Sequence, residues 1–357
     1  MTWIPFKIFP TRSLGIDIGT FSIKIVELSR WGERIKLENY GEMKSKVLYK
    51  QPFRTFEKST LLLSSEDISR AIKAILDEAK MKAKTATLSI PDFSSFFTTF
   101  ELPPMSREEI PRAVEFEARQ HIPVHLSEVA LDWQIIEEKN SKREQRRIKI
   151  LLVAVPKEVI YQYQAIVRPF GFKNFALEAE AFALLRSLVR EEKGVICLID
   201  IGAQSTTISI IEDQVLKESY SFDSFSGNEL TQVLSKSLDI DYKQAEALKQ
   251  KYGLLDKSKK QVAEILRPLT NLILIETEKV CQQFQRTEKK EVNRFILAGG
   301  SAYLPGLRQR FSDYFKKEVI IGNPFSDIFY PPILEKILEQ KGATFAVAVG
   351  AALRALK

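Results

Sequence analysis

Short apolar runs broken by turn residues alternate along the chain with stretches whose apolar positions recur at helical spacing. Ser13-Leu14-Gly15-Ile16 and Val195-Ile196-Cys197-Leu198-Ile199 are of the first kind, and each is expected to be a buried strand. A turn and a second apolar run follow each of them, Ile23 to Leu28 and Thr207 to Ile211, which predicts two hairpins. More strand-like sequence continues to about Lys50, and residues 51–64 read as a loop. Ser65 is placed to cap a helix with an apolar face of Ile68, Ala71, Ile72, Ile75, Leu76 and Ala79. Thr85 to Ile90 then returns as a strand.

Residues from about 92 to 170 carry a pattern of their own, β-α-β-β-α. A strand from Phe96 to Leu102 ends at Pro103-Pro104. Ser106 with Glu109 forms a capping-box pattern ahead of a helix lined by Ile110, Val114 and Ala118. Pro111 would sit one turn in, a less comfortable place than the first helical position. Strands at Leu131–Ile136 and Ile148–Val155 flank a basic stretch, and a helix from Lys157 to Pro169 ends near Gly171. Beyond the second hairpin the pattern predicts helices at Asn228–Leu238 and Tyr242–Tyr252, and a long helix after Pro268. A strand Phe295–Ala298 then runs into Gly299-Gly300, a helix uses Leu307, Phe311 and Phe315, and a last helix covers Thr344 to Leu356.

The two hairpins are variants of one sequence. Aligning Asp17 with Asp200, an offset of 183 residues, makes Ile16, Ile18, Gly19, Ser22 and Ile25 recur as Ile199, Ile201, Gly202, Ser205 and Ile208. A carboxylate at the end of a buried strand is costly unless a cation or donors lie close by. The glycine after it lets the chain turn tightly and lets a ligand approach the backbone. Hydroxyls and free amides at the turn suit phosphate oxygens. Gly19, Thr20, Ser22 and Lys24, with Gly202, Ala203, Gln204 and Ser205, are therefore candidate nucleotide-phosphate contacts. Asp17 and Asp200 are candidate ligands of Mg²⁺, directly or through water, since nucleotide-bound Mg²⁺ needs only one or two carboxylates. Gly299, Gly300 and Ser301 at the end of a strand would let a flat group lie on the backbone. The plain alternative for each segment is an ordinary turn.

Length and composition narrow the classes. The 357 residues suffice for two domains with proper cores. A hydrophobic share of 45% and a charged share of 28% are those of an ordinary globular protein. No run approaches the length needed to span a bilayer. Trp3-Ile4-Pro5-Phe6-Lys7-Ile8-Phe9-Pro10 is apolar but short and broken by proline; it does not read as a signal peptide and is expected to dock on protein. Cys197 and Cys281 are expected to be reduced and buried, and no Cys/His metal spacing occurs. His121 and His125 are four apart, but Pro123 between them argues against a helix presenting both to a metal. Of the net charge of +7, much falls in Lys139 to Arg147, expected to be a solvated hairpin loop; no nucleic-acid module accompanies it.

Further motifs extend the picture. Asp17-Ile18-Gly19, Asp200-Ile201-Gly202 and Ala298-Gly299-Gly300-Ser301 resemble the two phosphate motifs and the adenosine motif of the ATP-binding superfamily that includes actin, the large heat-shock chaperones and sugar kinases. Gly227-Asn228-Glu229-Leu230-Thr231 and Ala245-Glu246-Ala247-Leu248-Lys249 are similar to the segment whose Glu and Lys contact ribose and adenine in FtsA and MreB relatives. The stretch from Gly342-Ala343 to Gly350-Ala351 looks like the second connecting helix, with small residues at a close helix crossing. Ser89-Ile90-Pro91-Asp92, Phe100 to Met105, Glu115 to Ala118, His121-Ile122-Pro123, Leu131-Asp132-Trp133, Val153 to Lys157 and Leu177 to Ala183 form an ordered set. Together they resemble the type IV pilus assembly protein PilM family, over about Leu14 to Leu353.

The resemblance implies an α/β, two-lobed actin-like ATPase fold of duplicated ribonuclease-H-like domains with a small FtsA-like inserted subdomain. The first lobe would comprise 1–91, 171–193 and 341–357, the insert 92–170, and the second lobe 194–340. It implies ATP and Mg²⁺ as ligands, with Gly227, Asn228, Glu246 and Lys249 on the nucleoside, and weak or no hydrolysis. It also implies a cytoplasmic protein at the inner membrane's cytoplasmic face. There it would bind the N-terminal cytoplasmic tail of PilN and join the pilus motor to the platform proteins, with no nucleic acid. The peptide is expected in the groove between the insert and the first lobe, with Phe96, Phe97, Phe116 and Gln120 as candidate contacts; the alternative is that these aromatics are core of the insert. No room follows the last helix for the amphipathic tail of FtsA relatives, so FtsA itself is not expected. Two other functions remain open on this fold: a filament-forming ATPase, and a small-molecule kinase, for which no acceptor base is assignable.

Overall fold

The computed structural model describes residues 10–45, 52–54, 61–139, 147–190, 193–255 and 260–356. The Trp3–Phe9 segment and residues 140–146 of the basic stretch lie outside them.

The first lobe opens with β1 (Thr11–Ile18), β2 (Ser22–Trp31) and β3 (Arg34–Lys44), followed by α1 (Ser65–Glu78) and β4 (Thr85–Ile90). The cap of α1 is Ser64, one residue earlier than expected; its hydroxyl accepts from the Asp67 amide. The insert consists of β5 (Phe96–Leu102), α2 (Ile110–His121), β6 (Val129–Lys139) and β7 (Arg147–Pro156). Ser106 and Glu109 do bond, but as a turn ahead of α2. Because α2 starts at Ile110, Pro111 falls in its first turn, where its missing N–H costs nothing. The chain returns through α3 (Lys157–Val167), β8 (Asn174–Ala179) and α4 (Glu180–Leu188). Val159, Tyr163, Ile166 and Val167 of α3 pack into the first-lobe core with Ile68, Ile72 and Leu88, so this helix of the expected 92–170 insert is built into the first lobe instead.

The second lobe holds β9 (Val195–Ile201), β10 (Thr206–Glu212), β11 (Val215–Phe222), α5 (Gly227–Leu238), α6 (Tyr242–Tyr252) and α7 (Lys260–Glu288). It continues through β12 (Arg294–Ala298), α8 (Leu307–Phe315), β13 (Glu318–Ile321) and α9 (Glu335–Lys341). The last helix, α10 (Ala346–Arg354), returns to the first lobe. Pro268 lies inside α7 rather than ahead of it. Proline there forfeits one helical hydrogen bond, and the buried Val262, Ala263 and Leu266 on the preceding turns hold the helix together through packing.

The duplication read in the hairpins extends to the whole lobes. One five-stranded sheet has the order β3-β2-β1-β4-β8 and the other β11-β10-β9-β12-β13. In each, the first three strands are antiparallel and the next two join in parallel. The insert is a separate three-stranded sheet, β5-β7-β6, with its own core around Phe100, Val114, Ile150 and Leu152.

Within the first lobe α10 is seated where backbones approach closely. A Cβ at Gly15 of β1 would lie 1.8 Å from the Ala348 carbonyl of α10, and one at Gly350 would lie 1.8 Å from the Ala183 carbonyl of α4. Only hydrogen fits at either position, and α10 is thereby wedged between β1 and α4. Cys197 is buried and Cys281 half-buried; both are free thiols.

Candidate nucleotide cleft and partner groove

The two hairpin turns are built alike. The Gly19 amide donates to the Ser22 carbonyl at 2.9 Å, and the Gly202 amide to the Ser205 carbonyl at 2.9 Å. Both turns line one cavity of about 190 Å³ between the lobes. Of the expected phosphate and metal residues, Asp17, Gly19, Thr20, Ser22, Lys24, Asp200, Gly202, Ala203, Gln204 and Ser205 all face it, together with Gly299 and Gly300. Gly299 has φ +80°, and a Cβ there would lie 2.4 Å from Asp200 Oδ1; the strand end must be glycine to pass the carboxylate.

The two aspartates are not equivalent. Lys24, opposite Asp17 in the β1–β2 register, places its Nζ 3.6 Å from Asp17 Oδ2. The matching position opposite Asp200 is Thr207. Burial, with the charges of Glu180 and Asp17 added, pushes the Asp200 carboxyl up to about 7, against a partial offset from Lys24 and Arg54. A cation between the two carboxylates would relieve this, so the donor set fits a hard divalent ion held with phosphate oxygens.

Gly227, Asn228, Ser301, Glu246 and Lys249 form a second tier beside the cavity. The Gly227 amide donates to the Gly202 carbonyl at 2.8 Å and the Asn228 amide to the Ala203 carbonyl at 2.9 Å, which ties the start of α5 to the second phosphate turn. Lys249 Nζ donates to the Gly227 carbonyl at 2.8 Å and to Thr231 Oγ1 at 2.7 Å, and stands 2.7 Å from Glu246 Oε2. Its three donors are all used, so Lys249 braces the Gly227 loop here. A Cβ at Gly227 would lie 2.4 Å from Ser301 Oγ, which keeps that loop against the Gly299-Gly300 strand end.

Three charged residues of the cavity, Glu42, Arg54 and Glu180, carried no role in the sequence reading. Arg54 comes from the 51–64 segment, read as a plain loop. The Phe53 amide donates to the Thr20 carbonyl at 2.8 Å and Arg54 bridges to Leu61, so Phe53 and Arg54 are fastened beside the first phosphate turn. Glu180 opens α4; burial pushes its carboxyl up while Arg54 pulls it back. Arg54 Nη2 donates to Glu180 Oε1 at 2.9 Å, and the residues are 7% and 6% exposed. The buried Asp92, where β4 leaves for the insert, accepts from the Ala181 amide at 3.1 Å.

A groove of about 350 Å³ separates the insert from the first lobe, as expected. One wall is five consecutive residues of β6, Ala130 to Gln134, and the other is Leu177, Glu178 and Ala179 of β8. Both are outer strands of their sheets. Alternate side chains of a strand face opposite ways, so a wall of consecutive residues is the strand's edge with its backbone groups. At the groove's end Glu178 is held by Arg186 at 2.7 and 2.5 Å, and Arg354 donates to the Leu177 carbonyl at 2.8 Å. None of Phe96, Phe97, Phe116 and Gln120 lines this groove. The sheet order β5-β7-β6 puts β5 on the far edge, toward β11 of the second lobe, where Phe97 lines a different cavity and packs against Phe182 at 6.3 Å. Phe96 packs on the insert core, while Phe116, 65% exposed, and Gln120 stand on the outer face of α2.

The family model for type IV pilus assembly protein PilM matches residues 15–356. The chain belongs to that family. A solved PilM-PilN type IV pilus biogenesis complex is similar over 97% of this chain and 98% of that one, at 23% identity and a TM-score of 0.81. MreB5 of Spiroplasma citri, solved bound to AMPPNP, is similar over 96% of this chain at 13% identity and a TM-score of 0.52. FtsA of Staphylococcus epidermidis is 22% identical over 196 residues, 48% of this chain and 42% of that protein, so the match spans less than half of that relative's length. The fold of this family member is actin-like, with two lobes around a cleft. No described helix is long and apolar enough to cross a membrane.

Proposed function

We propose that this member of the PilM family is a nucleotide-binding adaptor of the type IV pilus inner-membrane platform. It holds ATP with Mg²⁺ in the interlobe cleft, and the N-terminal cytoplasmic tail of PilN in the groove between β6 and β8. The groove carries the reading: two sheet edges face each other across about 350 Å³, a shape that accepts an extended peptide by strand addition. The relative solved as a PilM-PilN complex supports the choice of partner. In this reading the protein works at the cytoplasmic face of the inner membrane and meets the motor and the other platform proteins there.

In the cleft, the paired turns would hold phosphate oxygens, Asp17 and Asp200 the metal, and the Gly227 loop, braced by Glu246 and Lys249, the nucleoside. Bound Mg²⁺ would supply the positive charge that the carboxylate pair and the phosphates both need. Weak or absent turnover belongs to this reading: Glu180 is bonded to Arg54, Asp17 and Asp200 are assigned to the metal, and no acid of the lining is assigned as base for water or an acceptor hydroxyl. The test is pull-down with a synthetic PilN N-terminal tail against a scrambled peptide. Capture of the tail alone is expected; no capture at high micromolar peptide, with or without ATP and Mg²⁺, would sink the reading. Steady-state phosphate release at about 1 per second or faster would instead revive an enzyme on this fold.

A further inference from the structure

Arg54 is 93% buried, yet its guanidinium is only partly used. A guanidinium presents five N–H donors. Nη2 bonds Glu180, the plane lies over the Phe93 ring with 5.3 Å to its centroid, and the buried Tyr163 hydroxyl lies beside the guanidinium, while Nε and Nη1 make no hydrogen bond of good geometry within the protein. Buried charged donors left unpaired are costly and uncommon. Arg54 faces the same cavity as the two phosphate turns. It stands at the carboxylate end, where its charge acts on Asp17 and Asp200. The bond from the Phe53 amide to the Thr20 carbonyl ties the adjoining backbone to the first turn, so Arg54 is presented to the cavity by the phosphate site itself. The other cation of the cavity, Lys24, is engaged with Asp17. The acids Asp17, Glu42, Glu180 and Asp200 outnumber Lys24 and Arg54 on the lining, so a polyanion entering needs every available donor.

We propose that Arg54 binds the terminal phosphate of a nucleoside triphosphate, and so makes the cleft distinguish triphosphate from diphosphate. The inference rests on the nucleotide reading of the cleft. With the nucleoside at the Gly227 loop and the metal at the aspartates, the last phosphate comes to the Arg54 end. The diphosphate stops short of it. Arg54 then shares its charge between that phosphate and Glu180, instead of giving it to Glu180 alone. Arginine suits this task because its planar fork serves two acceptors at once. Glu180 lies two residues beyond Glu178 of the groove wall, so the exchange takes place at the junction that joins cleft and groove.

The test is calorimetric titration of the full chain with ATP and with ADP, both with Mg²⁺, for wild type, Arg54→Gln and Arg54→Lys. Circular dichroism and melting confirm that each variant is folded. Arg54→Gln is expected to weaken ATP by about tenfold or more, the loss of a charge-assisted bond, and ADP by less than about threefold. Arg54→Lys, which keeps the charge without the fork, should fall between, and it decides the matter by the same ratio if the glutamine variant does not fold. Equal weakening of both nucleotides, or of neither, overturns the role of Arg54 while leaving nucleotide binding in place. Wild-type protein that binds neither nucleotide overturns the reading of the cleft, and this inference with it.

Discussion

Asp200 should act as a stability switch that substitution removes. Asp200 is half-buried near the end of β9; partial burial and the charges of Glu180 and Asp17 raise its carboxyl to about 7 from an ordinary value near 3.8. A raised acid binds its proton more tightly in the folded state. Its contribution to ligand-free stability is therefore fully present below about pH 4 and is lost as pH climbs through about 7. A rise of roughly 3 units at about 1.4 kcal/mol each sets a ceiling of ~4 kcal/mol. Relaxation and water entry reduce this, and ~2 kcal/mol is a reasonable working figure. Asp200→Asn should thus raise the ligand-free midpoint at pH 8 by about 4 °C, and flatten the decline between pH 5 and pH 8. The same variant should lose the stabilisation that wild type gains from Mg²⁺ with ATP. Melting curves at pH 5, 6, 7 and 8, with and without Mg²⁺ and ATP, measure both effects. A lower midpoint for Asp200→Asn at pH 8 without ligand, or an unchanged pH slope, would refute the claim that Asp200 is an uncompensated charge.

Two further substitutions probe the scaffold around the cleft. Gly350→Val should destabilise the protein by about 3 kcal/mol in urea titration, because even the Cβ would lie 1.8 Å from the Ala183 carbonyl; an unchanged midpoint would mean that α10 and α4 do not cross this closely. Lys249→Met should leave the chain folded but weaken ADP about tenfold by calorimetry, since the Gly227 carbonyl and Thr231 lose their common donor; unaltered ADP affinity would remove its role as a brace.

The duplicated lobes were legible in the sequence because the repeat carries both a burial pattern and a chemistry: an aspartate closing an apolar run and a glycine turn, twice, at one offset. The turn bonds at Gly19 and Gly202 and the matching sheet orders follow from that pattern. Arg54 and Glu180 were not legible as a pair. They lie 126 residues apart, and the bond of Phe53 onto the first turn is what brings Arg54 to the start of α4. Sheet order was equally hidden. Apolar runs located β5, β6 and β7, but alternation along a strand does not say which strand is central, so the aromatics on β5 could not be assigned to the edge away from the β6–β8 groove. Pro268 misled for a related reason: local propensity argues for a helix start, and burial of residues on both sides of it overrides that preference.

The function turns on where the partner is held. Calorimetric titration of the PilN N-terminal tail into wild type, Trp133→Ala and Phe116→Ala locates it. Trp133 lines the β6–β8 groove, and Phe116 stands exposed on α2 away from it. Trp133, half-buried against the insert core, is expected on truncation to alanine to weaken the peptide about tenfold or more in protein shown folded by its melting curve, whereas Phe116→Ala should leave the peptide unchanged. Full affinity in Trp133→Ala with loss in Phe116→Ala would contradict this placement.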